Sequence, residues 1–72
     1  MVCIDTIKEY LRNFLTNKTN DIEFNIESHK HIVNLRLIKA VVQECDRDKI
    51  NRYRYLYLKD LVKRICHNNR LH

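Results

Sequence analysis

The sequence predicts an all-α fold, a compact three-helix domain with an extended segment at 21–27. Three observations carry that expectation. The chain has no glycine and no proline, whereas tight β-hairpins want glycine or asparagine at positive φ. Helices can end on asparagine in the left-handed C′ position instead, and eight asparagines are available. Apolar residues also recur at helical spacing over three long segments.

The first segment is a helix over 5–17. Ile4, Ile7, Tyr10, Leu11, Phe14 and Leu15 fall on one arc about 140° wide, with Asp5, Lys8, Glu9, Arg12, Asn13 and Thr16 opposite. Asp5 or Thr6 is the expected N-cap, and Glu9 completes a capping box with Thr6. Residues Asn17-Lys18-Thr19-Asn20 end the helix.

Residues 21–28 alternate, with Ile22, Phe24 and Ile26 set against Asp21, Glu23, Asn25 and Glu27. That is the period of a half-buried strand. If this segment pairs with 52–58, the fold becomes α+β. Without that mate it is an extended linker pinning three apolar side chains on the core.

A second helix is expected over 29–45, with Ser28 as its N-cap. Its polar stripe is narrow, only Arg36, Lys39 and Gln43, which makes it the most buried element. Asp46-Arg47-Asp48 then supplies a new cap, and a third helix runs over 48–67. Ile50, Tyr53, Tyr57, Leu58, Leu61, Val62 and Ile65 form its apolar face. Two residues spoil that wheel. Leu56 sits among basic residues, and Arg54 sits among apolar ones and must be paired or interfacial.

One domain of 72 residues buries only roughly 60% of the surface its unfolded chain exposes. Such a core is marginal, so a homodimer or another protein partner is expected. Cys3, Cys45 and Cys66 are odd in number and widely spaced, unlike the disulfide frameworks of secreted domains. No signal peptide is legible at the N-terminus, and no apolar run approaches the ~20 residues of a membrane span. The expectation is an intracellular protein, cytoplasmic or nuclear, with no membrane partner. Abundant Asn, Ile and Lys suit an AT-rich genome and so a viral protein as well as a cellular one.

The net charge of +5 is unevenly spread. Residues 1–28 carry three basic and five acidic side chains, whereas 29–72 carry eleven basic and four acidic. A polyanionic partner, nucleic acid above all, fits that asymmetry. Lys49, Arg52, Lys59, Lys63 and Arg70 fall within about 80° on the wheel of the third helix, with no acidic residue among them. Arg54 and Tyr55 complete the candidate site, cations for phosphates and an aromatic ring for stacking. In outline, three helices with a basic last one resemble many DNA-binding domains.

Other chemistry finds little support. His29, His31, His67 and the cysteines lack the spacing of metal ligands. Phosphate-cradling glycine loops are impossible here. The protein is therefore read as having no metal, no cofactor, no small-molecule substrate and no enzymatic activity. The rival to nucleic-acid binding is a helical adaptor or subunit of a larger complex, docking through Leu56 and the Tyr53/Tyr55/Tyr57 cluster.

Overall fold

The computed structural model describes residues 3–20 and 22–70, including all their side chains except those of 23–25 and 66–70. The element order is α1 (Ile4–Leu15), α2 (Glu23–Ser28), α3 (Leu35–Glu44), a 3-10 turn (Arg47–Lys49) and α4 (Arg52–Arg70). Helices α1, α3 and α4 pack against one another, and α2 packs on α4. The fold is all-helical, and no strand occurs among the described residues.

α1 forms because Ile7, Leu11, Phe14 and Leu15 recur at helical spacing and are buried together. Asp5 in its first turn and Arg12 in its last suit the helix dipole. The buried arc is narrower than the wheel suggests, since Ile4 and Tyr10 are exposed. Its N-cap is Cys3, without a side-chain cap bond, rather than Asp5 or Thr6. The Cys3 thiol lies 3.6 Å from the Thr6 hydroxyl, and hydrogen bonding from Thr6 pulls the thiol pKa down.

The C-terminus of α1 shows how the chain manages without glycine. Asn17 takes φ 65°. The Asn17 N–H donates to the Phe14 carbonyl and the Lys18 N–H to that of Asn13, the two bonds of a Schellman motif. Thr16 satisfies the Arg12 carbonyl through its backbone and its hydroxyl, and the Asn51 N–H donates to Leu15 at 2.8 Å. All four terminal carbonyls, which a helix leaves without internal partners, are therefore occupied.

The segment expected to be extended is helical instead. Ile22 and Ile26 are both buried, and residues four apart share a helix face as readily as they share a strand face. A lone strand leaves its backbone groups without a ladder, whereas one helical turn satisfies them internally. The Phe24 side chain lies outside the described residues. The alternative pairing of 21–27 with 52–58 also fails, because α4 takes in the whole second segment.

The second helix is shorter than expected. Residues 29–32 form turns, with the His29 carbonyl accepting from both Ile32 and Val33. The cap is Asn34 rather than Ser28, its Oδ1 accepting the Leu37 N–H at 2.8 Å. Val33, Leu37, Ile38 and Val41 enter the core, while Leu35 and Val42 are half-buried against it.

Asp46 does cap, but it caps the 3-10 turn by accepting from Asp48. α4 starts afresh at Arg52, where Asn51 Oδ1 accepts from Tyr53 and Arg54. Leu58, Leu61 and Val62 are its buried residues. Tyr53, expected on the apolar face, is 85% exposed.

Candidate nucleic-acid interface

The candidate residues divide among four places. Lys59 and Lys63 lie on the flank of α4 that meets α3. There they line a cleft of about 190 Å³ together with Tyr55, Lys39 and the apolar Leu35 and Ile38. Leu35 and Lys39 also border a shallower depression of about 400 Å³ lined by Arg36, Ala40 and Gln43. Lysines from two helices therefore converge on one opening whose lining holds no carboxylate.

Tyr55 forms a half-buried wall of the cleft. The Lys59 ammonium sits 5.1 Å from the centre of its ring, within cation–π range. That contact leaves Lys59 half-buried rather than fully solvent-facing, while Lys63 is exposed. Sequence reasoning missed Lys39 and Arg36 because convergence across helices is a tertiary property. The one local signal was the lack of any acidic residue in α3 before Glu44.

Glu9, Glu27, Glu44 and Asp60 are engaged in ion pairs elsewhere. Glu44 pairs with Lys8 at 3.3 Å and Arg12 at 3.2 Å, and Glu9 also reaches Arg12. Glu27 pairs with Lys30, and Asp60 with Arg64 at 3.1 Å. The Lys8 hydrogen bond and charge, reinforced by Arg12, hold the Glu44 carboxyl below the ordinary carboxylate range. Lys39, Lys63 and Arg52 have no ion pair or hydrogen bond to a side chain among the described residues.

Arg52 and Lys49 stand apart from the cleft. Arg52 is the first residue of α4 and is exposed. A cation in a first turn opposes the helix dipole, and no ion pair among the described residues compensates it. Lys49 belongs to the 3-10 turn and faces a different depression, of about 420 Å³, with Arg12, Thr16, Lys18, Glu44, Cys45 and Asp46. The break at Asn51 removes Lys49 from the α4 wheel, so the row on the helix runs from Arg52 to Lys63, about 16 Å. The Arg70 side chain lies outside the described residues.

Arg54 turns inward. Its guanidinium donates to the Phe14 carbonyl at 3.0 Å, to the Thr19 carbonyl and to Asn20 Oδ1, and it lies 4.7 Å from the centre of the Phe14 ring. It is paired, as its place in the apolar arc required. A cation there also faces the negative end of the α1 dipole.

Among the described residues no group of three histidines, cysteines or acids is placed to hold a metal ion. Cys3 is exposed, Cys45 is half-buried, and both are free thiols; the side chains of Cys66 and His67 lie outside the described residues. No helix among the described residues is long and apolar enough to cross a membrane. Compared with known proteins, the chain matches no family model, no curated protein and no solved structure.

Proposed function

We propose that the protein binds nucleic acid inside the cell, through the phosphates, at the cleft between α3 and α4. The observation that carries this reading is the convergence of Lys39, Lys59 and Lys63 on one carboxylate-free opening. Like charges gathered in this way repel and add nothing to the fold, while a polyanion relieves that repulsion and releases its counterions on binding. Arg36 on one side and Arg52 on the other extend the basic surface.

Anisotropy of a labelled oligonucleotide tests the reading. Four or so phosphate contacts give log K against log salt a slope of roughly −3 to −4. Binding is expected at about 50 mM salt and largely lost at a few hundred millimolar. The Lys59→Glu/Lys63→Glu variant is expected to lose it for every sequence, since phosphate contacts carry no base information. A wild-type protein that ignores DNA and RNA at the lower salt retires the reading.

One observation favours a second reading, a protein-binding adaptor. Leu56 is 51% exposed and stands beside Tyr53 and Tyr57, which are also exposed, and tyrosine is enriched at interface hot spots. Capture of a defined protein that survives nuclease and is lost in Leu56→Ser supports the adaptor.

A further inference from the structure

The exposed face of α4 carries two kinds of side chain in one strip. At 100° per residue, Arg52, Leu56, Lys59 and Lys63 fall within about 60° of one another, and Tyr53 follows about 60° beyond Leu56, with Asp60 between the two and its charge offset by the ion pair to Arg64. Leu56 therefore stands inside the basic row and Tyr53 beside it. Neither belongs to the core, since Tyr53 is 85% exposed and Leu56 51% exposed. Tyr57, one turn on from Tyr53, has its ring tilted against Phe14 with centroids 6.1 Å apart, which braces this side of the strip.

A duplex matches half of this surface. Its outer face offers phosphate and sugar, with the base faces stacked inside. Leu56 and Tyr53 would meet phosphates, sugars and groove edges there but no free base face to stack on, and an apolar side chain set against a phosphate costs free energy on both sides. An unpaired strand offers its phosphates and the flat faces of its bases side by side, and aromatic side chains stack on those faces whatever the base.

Tyr55 is not the stacking residue, since it is half-buried and the Lys59 cation already lies over its ring. A second copy of the chain suits the strip poorly. Pairing α4 with α4 would set Arg52, Lys59 and Lys63 against their own copies, and Asp60 is already engaged by Arg64.

We infer that the ligand is single-stranded nucleic acid, its phosphates following Arg52, Lys59 and Lys63 while a base stacks on Tyr53 beside Leu56. This inference rests on the nucleic-acid reading of the cleft and narrows it to one strand.

The chain itself supplies the reporter. It contains four tyrosines and no tryptophan, so tyrosine emission is free of a brighter fluorophore and is quenched when a base stacks on a ring. The full chain is titrated at low salt with an oligothymidylate of roughly 12 nucleotides, within the site sizes usual for such proteins, and with a duplex of equal length. The strand is expected to bind about tenfold tighter than the duplex and to quench the emission.

Tyr53→Ala is expected to weaken strand binding about tenfold, to remove most of the quenching and to leave duplex binding unchanged. Tyr53→Phe, which keeps the ring, is expected to hold wild-type strand affinity. Lys63→Glu is expected to weaken both ligands. A duplex bound as tightly as the strand, or a Tyr53→Ala variant with wild-type strand affinity, overturns the single-strand inference and leaves the basic cleft standing. Failure of both ligands to bind overturns the inference and the proposed function together, and the strip then belongs to a protein partner.

Discussion

Arg54 and Lys59 stand little more than one turn apart on α4, and the fold treats their charges in opposite ways. Arg54 is used up inside the molecule, its donors filling acceptors at the end of α1 and in the turn that follows. Lys59 rests its ammonium over the Tyr55 ring and opens on a cleft shared with two other lysines. Sequence position and residue type barely separate the two. What separates them is the neighbouring element: the end of α1 and the turn after it present oxygen acceptors, whereas α3 presents another cation. A basic helix is therefore a poor unit of inference until the face opposite each cation is known.

The comparison can be broken most forcefully at the cleft. Lys59→Glu/Lys63→Glu is expected to weaken oligonucleotide binding by ~100-fold or more at low salt, with the melting temperature nearly unchanged. A large loss of stability in this variant would erase the distinction between the two cations.

Arg54→Ala is the converse. It leaves a bifurcated carbonyl and two other acceptors without their charged donor, and bonds to charged groups are each worth about 1.5–3 kcal/mol. With solvent replacing part of that, a loss of about 2 kcal/mol is expected. For a domain of this size the melting temperature falls by roughly 10 °C, with binding by the remaining folded protein preserved. Thermal melts followed by circular dichroism measure it, and a fall of only a degree or two would mean that the guanidinium is not what closes this junction.

A smaller effect is expected at Asn17, which holds φ 65° and whose Oδ1 accepts from Asn51 Nδ2 at 2.9 Å. Asn17→Ala keeps the Cβ in the left-handed region but removes the carboxamide that makes asparagine tolerable there and bonds to Asn51, and should cost about 1 kcal/mol. Asn17→Gly relieves the backbone and should cost less. Urea titrations of the pair separate strain from the lost bond, and equal losses would assign the whole effect to the bond.

The smallest effect concerns pH. Glu44, on the surface, is held below its ordinary pKa by Lys8 and then Arg12. A carboxyl depressed in the folded state contributes stability that is fully present above its unfolded pKa, about 4.3, and is lost as pH falls through the lower folded value. Glu44→Gln is thus expected to melt slightly below wild type at neutral pH and to converge with it in acid. Added salt should narrow the gap too, since exposed pairs are screened. A gap that persists in strong acid would show that something other than ionisation sets it.

How much of this was legible in the sequence follows the same divide between local and tertiary causes. α1 and the core of α4 were readable because Ile7, Leu11 and Leu15, or Leu58, Leu61 and Val62, leave one choice of buried face. The inward role of Arg54 was readable as a demand for a partner, though the identity of that partner was not. α2 was misread because Ile22 and Ile26 satisfy a period of two and a spacing of four equally well. The start of α3 was misplaced because Asn34 competes for the backbone six residues after Ser28. At the site, Lys59 and Lys63 showed as an acid-free arc. Lys39 was hidden across a helix pair, and Lys49 was wrongly joined to them through the break at Asn51.

Asn51 has a consequence for motion as well as for structure. Its side chain holds the first amides of α4 and the Asn17 side chain, while its own N–H holds the last carbonyl of α1. Residues 34 apart in sequence are thus latched by one side chain. Helix ends ordinarily fray independently and at little cost. Here opening the end of α1 removes two of the bonds that orient Asn51, the cap of the turn that carries Arg52 and Tyr53. A disturbance at the far end of α1 therefore reaches the exposed strip of α4 as a change in how often its first turn is formed, with no rearrangement of the core between them.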